Sequence, residues 1–175
     1  LVSATELLTL YISMELSAYP LYIAVALHRS RAVGGEGSTK YMVQGMVASA
    51  VSLYGLSFLF GLMGSTYFGD LSAQLSTLAP QPLFWLGLLL ALAGFLFKLA
   101  VFPFHFWAPD TYQTAPHEIV TFIATASKVA ALAVLCRLVS LVMPLDDLTS
   151  ARSVLMWMSV LAMSLGNLAA LRQGD

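Results

Sequence analysis

Charged residues are scarce in this sequence. Asp, Glu, Lys and Arg make up 10% of its 175 residues and hydrophobic residues 59%, whereas an ordinary soluble domain carries about 25% charged residues. A soluble fold of this size could not hide so much apolar surface, so we expect lipid to be its solvent. The net charge of −1 gives no electrostatic reason to expect nucleic acid as a partner.

Cysteine is almost absent, and so is any sign of a leader. The one cysteine, Cys136, lies within an apolar run, which excludes a disulfide framework and an iron–sulfur site because both need several thiols. The sequence begins with Leu1 rather than Met and has no basic segment before its first apolar run. We therefore interpret it as an internal piece of a longer polypeptide.

Five apolar stretches are long enough to be membrane-spanning helices, since a span needs roughly 20 residues. They cover residues 2–27, 41–63, 83–102, 119–143 and 154–171. Each must satisfy its backbone hydrogen bonds internally, so the sequence predicts an all-α, polytopic helix bundle formed by one partial domain over residues 1–175. Between the spans, residues 31–39 are predicted to be a flexible loop in which Ser38 or Thr39 caps the second helix, and residues 65–82 a polar loop.

The basic residues of the loops predict an orientation, because short cytoplasmic loops are rich in Lys and Arg. Arg29, Arg31 and Lys40 fall on one side together with Arg172, whereas residues 65–82 on the other side contain neither Lys nor Arg. We therefore expect the loop that ends at Lys40 to face the cytoplasm.

Three ionisable residues lie well inside the predicted spans. Glu15 is midway along the first span, Lys98 lies in the third, five residues before Pro103, and Lys128 is in the fourth. Each costs about 2.5–3.5 kcal/mol at a helix centre. Lys98 alone could extend to the headgroups, but a helix broken near Pro103 and buried in protein would leave it close to mid-membrane. Arg137, near the end of its span, is expected to snorkel to the membrane surface.

The spacing of nearby polar residues indicates a proton relay. Tyr11 and Tyr19 lie one helical turn before and after Glu15, on the same helix face. Lys98 and His105 would share a face if their helix were continuous, and His105 is compatible with a relay role or a packing role. A polar stripe on the fourth helix comprises Glu118, Thr121, Thr125 and Lys128. A buried lysine with a movable carboxylate partner can exchange a proton near neutral pH. Structural ion pairs or interhelical hydrogen bonds are the alternative interpretation.

A long motif makes the chain recognisable. Residues 97–113, FKLAVFPFHFWAPDTYQ, resemble the signature segment of the antiporter-like membrane subunits of respiratory complex I, and residues 121–129, TFIATASKV, continue it. Both segments resemble the sequence pattern of the N-type subunits more than that of their relatives. Residues 14–22, MELSAYPLY, resemble the glutamate-bearing helix of the same family. The resemblance covers nearly the whole chain in the right order.

The resemblance implies a whole protein of roughly fourteen helices with two inverted repeats of about five helices each, one helix in each repeat being broken. This chain would hold approximately the first repeat and the opening helix of the second. Carried over residue by residue, Glu15 would be the carboxylate partner, Lys98 the lysine of the broken helix and Lys128 the relay toward the second half. Lys40 would be a further basic position in the relay, and His105 an additional candidate.

The resemblance also implies partners. NADH, FMN, iron–sulfur clusters and quinone would be bound by partner subunits of NADH:quinone oxidoreductase, and this chain would bind no cofactor itself. Its neighbours would be other membrane-arm subunits and the lipid bilayer of the inner (cytoplasmic) membrane. The alternatives are a subunit of a cation/proton antiporter, the membrane arm of a hydrogenase or of another donor's dehydrogenase, and a purely structural scaffold.

Overall fold

The computed structural model describes residues 1–26, 34–142 and 149–172, and these form a helix bundle. The helices are α1 (Leu7–Ala26), α2 (Gly34–Met63), α3 (Phe68–Leu78), α4 (Pro82–Ala91), α5 (Ala93–Leu99), α6 (Trp107–Thr114), α7 (His117–Phe122), a π-helical turn (Ile123–Ser127), α8 (Lys128–Val142) and α9 (Thr149–Arg172). Five helical segments are long and apolar enough to cross a membrane. The predicted all-α, five-span fold is therefore confirmed.

The first span begins later than predicted, at Leu7 rather than at residue 2. Glu6 lies just before the helix, and its carboxylate accepts hydrogen bonds from the hydroxyl of Thr9 and, at 2.9 Å, from that of Thr66. These two hydrogen bonds hold the pKa of the Glu6 carboxyl below its usual range. Glu6 is therefore an end group of α1 and not a charge inside the span, because a helix start favours an acidic side chain.

The second span begins earlier than predicted, and the predicted caps are wrong. Helix α2 already includes Gly34, and the hydroxyls of Ser38 and Thr39 donate back to the carbonyl of Gly35, at 3.1 and 2.7 Å, from inside the helix. Ser and Thr side chains often make such bonds one turn back in helix interiors. Residues 27–33, with Arg29 and Arg31, lie outside the described residues.

Residues 65–82 are not the polar loop that was predicted, because they contain helix α3. Its buried residues, Phe68, Leu71, Leu75 and Leu78, are spaced at one or two helical turns, and they give the helix one apolar face. Helix α3 uses that face to join the core formed by α1, α4 and α8. The polar residues of the segment lie on its exposed face.

The third span is broken near Pro103, as predicted. Helix α5 ends at Leu99, and Ala100 adopts the left-handed conformation with φ 55° and ψ 40°. The N–H of Ala100 donates to the Phe97 carbonyl at 2.9 Å, and the N–H of Val101 donates to the Leu96 carbonyl at 3.0 Å. This pair of bonds is a Schellman C-cap. The helix cannot resume before Pro103, because proline restricts the residue that precedes it and lacks an N–H donor.

The fourth span is one helix with a wider turn inside it. The π-helical turn Ile123–Ser127 separates α7 from α8, and such turns shift the side chains that follow them around the helix axis. Near the far end, Arg137 donates to the backbone carbonyls of Val2, at 2.7 Å, and Ala4. Its guanidinium also lies 5.0 Å from the centroid of the Phe68 ring. The arginine that was expected to snorkel thus reaches the segment before α1 and ties it to α8.

The bundle has two apolar clusters packed around α2, which contacts α1, α4, α5 and α6. One cluster includes Leu10, Leu59 and Phe84, and the other includes Tyr41 and Trp107. Small residues bring the helices close together: a Cβ atom at Gly55 would lie 2.2 Å from the backbone nitrogen of Ala91 in α4. Close backbone approach through small residues is how membrane helices pack when lipid gives no hydrophobic drive to associate.

Candidate functional site

A polar layer lies between the two apolar clusters. It is formed by Glu15 and Ser17 on α1, Ser49 and Ser52 on α2, and Lys98 on α5. Glu15 and Ser49 sit near the middle of their helices, so the layer lies at mid-depth of the bundle. Polar and ionisable groups at this depth of a membrane protein are functional by default.

Lys98 is buried, with 9% of its surface exposed. Its Nζ donates a hydrogen bond to Ser17 Oγ at 2.8 Å, and the Ser17 hydroxyl in turn donates to the Met14 carbonyl at 2.7 Å. The Ser17 hydroxyl thus donates its proton within α1, and its oxygen accepts the hydrogen bond from Lys98. The broken helix accordingly holds Lys98 inside the bundle and not at the headgroups.

Glu15 is half-buried on α1 and is the charged neighbour of Lys98, with which it interacts electrostatically. The two side chains form no direct ion pair; instead, the hydroxyl of Ser49 donates to a carboxylate oxygen of Glu15. The phenols that were expected to flank the carboxylate do not hydrogen-bond to it, and Tyr19 is 52% exposed and makes an edge contact with Tyr22. Ser49, which sequence reasoning missed, is therefore the hydrogen-bond partner of Glu15.

An aromatic cluster lies next to the buried lysine. The rings of Tyr41 and Trp107 stack with centroids 4.8 Å apart, Phe97 lies 5.1 Å from Trp107, and Tyr112 meets Trp107 edge-on at 5.9 Å. The indole N–H of Trp107 donates to the carbonyl of Phe97 at 2.9 Å. The Phe97 carbonyl thus accepts a second hydrogen bond besides that from the N–H of Ala100, and the bond from Trp107 joins the two halves of the broken helix.

Lys128 is half-buried and lies on the other side of these rings. Its Nζ is 5.7 Å from the centroid of the Tyr112 ring, a cation–π contact. Thr121 and Thr125 are exposed, and their hydroxyls donate to carbonyls of their own helix at 2.8 and 2.6 Å. Thr121 precedes the π-helical turn, Thr125 lies within it and Lys128 follows it. Lys98 and Lys128 face different helices, α1 and α6 respectively.

Lys40 lies at the start of α2 and is held by two carboxylates. Its Nζ is 2.7 Å from Glu36 and 2.7 Å from Asp110 of α6. The two helices approach closely here, since a Cβ atom at Gly37 would lie 2.1 Å from Thr114 Oγ1. The structure thus brings Lys40 together with the second half of the broken helix and not with Glu15. Asp110 was overlooked in the sequence, although it lies within the motif.

His105 lies in the break between α5 and α6. Its ring is 4.2 Å from that of Phe106, and its Nδ1 is buried without a hydrogen-bond partner. The helix is not continuous from Lys98 to His105, so the shared face expected for a continuous helix does not form. Within the described ranges, no group of three or more His, Cys, Asp or Glu side chains could hold a metal ion.

Known proteins share the fold of this chain and are similar to it in sequence. The family model described as NADH:quinone oxidoreductase/Mrp antiporter, TM, matches residues 4–175. NADH-quinone oxidoreductase subunit N 2 of Syntrophobacter fumaroxidans is 47% identical over 175 residues, which are all of this chain and 37% of that protein. The chain thus spans little more than a third of this curated relative.

Two solved structures have the same architecture. Respiratory complex I from Thermus thermophilus contains a chain that is 36% identical, with a TM-score of 0.80 over 98% of this chain and 36% of that one. An archaeal respiratory membrane complex, the membrane-bound sulfane sulfur reductase, contains a chain that is 28% identical, with a TM-score of 0.87 over 97% of this chain and 34% of that one.

Proposed function

Because the chain belongs to the NADH:quinone oxidoreductase/Mrp antiporter membrane family, we propose that it is part of a proton-translocating subunit in the membrane arm of an NADH:quinone oxidoreductase. The observation that carries this proposal is the burial of Lys98 at mid-depth beside the half-buried carboxylate of Glu15. Placing an ammonium group at the centre of a membrane helix costs about 2.5–3.5 kcal/mol, and a purely structural scaffold has no need of one there.

The proposed relay works through the charge of Glu15. At an effective dielectric constant of about 20, a unit charge about 4 Å away changes the free energy of a cation by about 4 kcal/mol. A change in the position or charge of Glu15 would therefore decide whether Lys98 keeps or releases its proton. Ser17, the acceptor of the Lys98 hydrogen bond, keeps the ammonium oriented toward α1.

The onward step leads from Lys98 toward Lys128. The rings of Phe97, Trp107 and Tyr112 form a continuous series of contacts from the residue next to Lys98 to the ring beneath Lys128. We propose that these rings separate the two lysines and that proton transfer between them is the gated step. In this proposal Lys40 and His105 act at the end of the pathway formed by α6 and the break before it.

The electron-transfer chemistry belongs to other subunits in this proposal. NADH, FMN, the iron–sulfur clusters and quinone would be bound elsewhere in the complex, and this chain would contact other membrane-arm subunits and the lipid of the inner membrane. A cation/proton antiporter is the second candidate, because the matching family includes Mrp antiporters and a buried lysine serves either reaction. Copurification of the chain with flavin and iron–sulfur subunits distinguishes the two.

The test uses the complete complex in membrane vesicles. We expect Lys98→Ala to abolish NADH-driven proton translocation and Glu15→Gln to reduce it, while both complexes assemble normally on native gels. Asp70→Asn, which neutralises an exposed carboxylate on α3 outside the spans, and Arg172→Ala at the exposed end of α9 are the controls, and both should leave translocation unchanged. Normal proton-coupled turnover in an assembled Lys98→Ala complex would contradict the relay.

A further inference from the structure

The contact between α1 and α2 is set by a glycine one turn away from Ser49. A Cβ atom at Gly45 would lie 2.0 Å from the hydroxyl oxygen of Tyr22, so the buried Tyr22 ring can pack against α2 in this place only because residue 45 has no side chain. Tyr22 lies two turns after Glu15 on the same face of α1, and Ser49 lies one turn after Gly45 on α2. The close contact therefore fixes the register in which Ser49 meets Glu15.

A second serine on α2 makes the equivalent contact with α5. The hydroxyl of Ser52 is fully buried and accepts the backbone N–H of Gly94 at 2.7 Å. Gly94 lies one helical turn before Lys98 on the same face of α5. A Cβ atom at Gly94 would lie 3.0 Å from Ser52 Oγ and 2.5 Å from Met14 Cε, so this approach also depends on a glycine. Helix α2 thus holds both elements that carry the charged pair.

We propose that Ser49 is a positioning residue that holds the Glu15 carboxylate toward Lys98, with Ser52 fixing the backbone of α5 opposite it. This inference rests on the proposed relay function. A serine hydroxyl can donate to a carboxylate and can accept from a carboxylic acid, so Ser49 remains a partner of Glu15 in either protonation state. The hydroxyl therefore keeps the carboxylate in place while its charge changes.

Within the described residues, no other member of the polar layer hydrogen-bonds to Glu15. Among the described contacts of Glu15, the Ser49 hydroxyl is the one hydrogen bond to the carboxylate, and Lys98 donates to Ser17 instead. Replacing Ser49 with Ala removes a single oxygen atom and leaves the packing of Gly45 against Tyr22 intact. The side chain of Glu15 would then be free to turn away from Lys98.

The experiment is a double-mutant cycle on NADH-driven proton translocation by the assembled complex. We expect Ser49→Ala to lower the translocation rate about tenfold to a hundredfold, in line with the loss of a hydrogen bond to a charged group, and Ser49→Thr, which keeps the hydroxyl, to restore most of it. In a Glu15→Gln background, Ser49→Ala should change the rate by less than about twofold, because residues in direct contact act non-additively. Ser57→Ala is the matched control, since Ser57 is exposed on the same helix and its hydroxyl donates to the backbone carbonyl of Tyr54, one turn earlier in that helix.

Each outcome decides a different question. If Ser49→Ala behaves like Ser57→Ala, or if it has the same effect in both backgrounds, Ser49 has no special relation to Glu15 and the assignment is wrong. The assignment is also wrong if an assembled Ser49→Thr complex stays as slow as Ser49→Ala. If Glu15→Gln alone leaves translocation unchanged, the proposed relay is itself refuted, which is a result distinct from a failure at Ser49.

Discussion

Replacing Trp107 with Phe tests whether the two halves of the broken helix depend on one hydrogen bond. Trp107 is 1% exposed, and its indole N–H donates to the Phe97 carbonyl. Phenylalanine would remove one of the two hydrogen bonds that this buried carbonyl accepts, since the N–H of Ala100 would still donate to it, and the loss of one hydrogen bond costs about 0.5–1.5 kcal/mol. The smaller ring would also leave a cavity worth about 1 kcal/mol. We therefore expect the free energy of unfolding to fall by about 1.5–2.5 kcal/mol.

The assay is the midpoint of heat-induced disassembly of the purified complex on native gels, with proton translocation measured in parallel. Trp157→Phe is the matched control, because Trp157 is 60% exposed on α9 and the same substitution there should shift the midpoint little. If Trp107→Phe is as mild as Trp157→Phe, the indole does not tie α5 to α6. A stable Trp107→Phe complex with altered translocation would assign the ring a role in the relay and none in holding the break.

Two further substitutions test single contacts. Ala100→Gly should stabilise the subunit by about 0.5–1 kcal/mol, because the left-handed conformation of residue 100 is costly for alanine and free for glycine; a lower thermal midpoint would show that the side chain of Ala100 matters more than its backbone. Arg137→Met should lower the free energy of unfolding by about 2–3 kcal/mol, because it removes the charged hydrogen bonds to the carbonyls of Val2 and Ala4. Arg137→Lys should recover part of this stability, because lysine keeps the charge but lacks the planar fork of donors. Thermal midpoints equal to that of the unsubstituted complex would show that the segment before α1 needs no such tie.

Composition and periodicity were sufficient to predict the spans and the burial of Lys98. A stretch of about 20 apolar residues has few alternatives to a membrane helix, so an ionisable residue within it stands out at once. Lys98 shows the strength of this reasoning, since Pro103 predicted the break that keeps the lysine inside. The ends of helices were less predictable: the glycines before Ser38 were interpreted as a loop, although α2 already includes Gly34.

Contacts between distant parts of the chain could not be read from the sequence. Ser49 is 34 residues from Glu15, and Asp110 is 70 residues from Lys40, and a lone serine or aspartate carries no pattern that names its partner. The π-helical turn gave no signal either, because Ile123–Ser127 contains residues that an ordinary α-helix accepts. Helix α3 is different, since the helical spacing of Phe68 and Leu71 was visible and the polar residues between them were given too much weight.

The two apolar clusters and the polar layer occupy different depths of the bundle, so the contacts that stabilise the fold are separate from the ionisable side chains. Each cluster has its own large, fully buried side chains, Phe84 in one and Trp107 in the other, so both halves of the bundle are packed by apolar contacts that do not involve the charged residues. If the layer of Glu15, Ser49 and Lys98 changes its charge as the proposed relay requires, these apolar contacts on either side of it would remain in place.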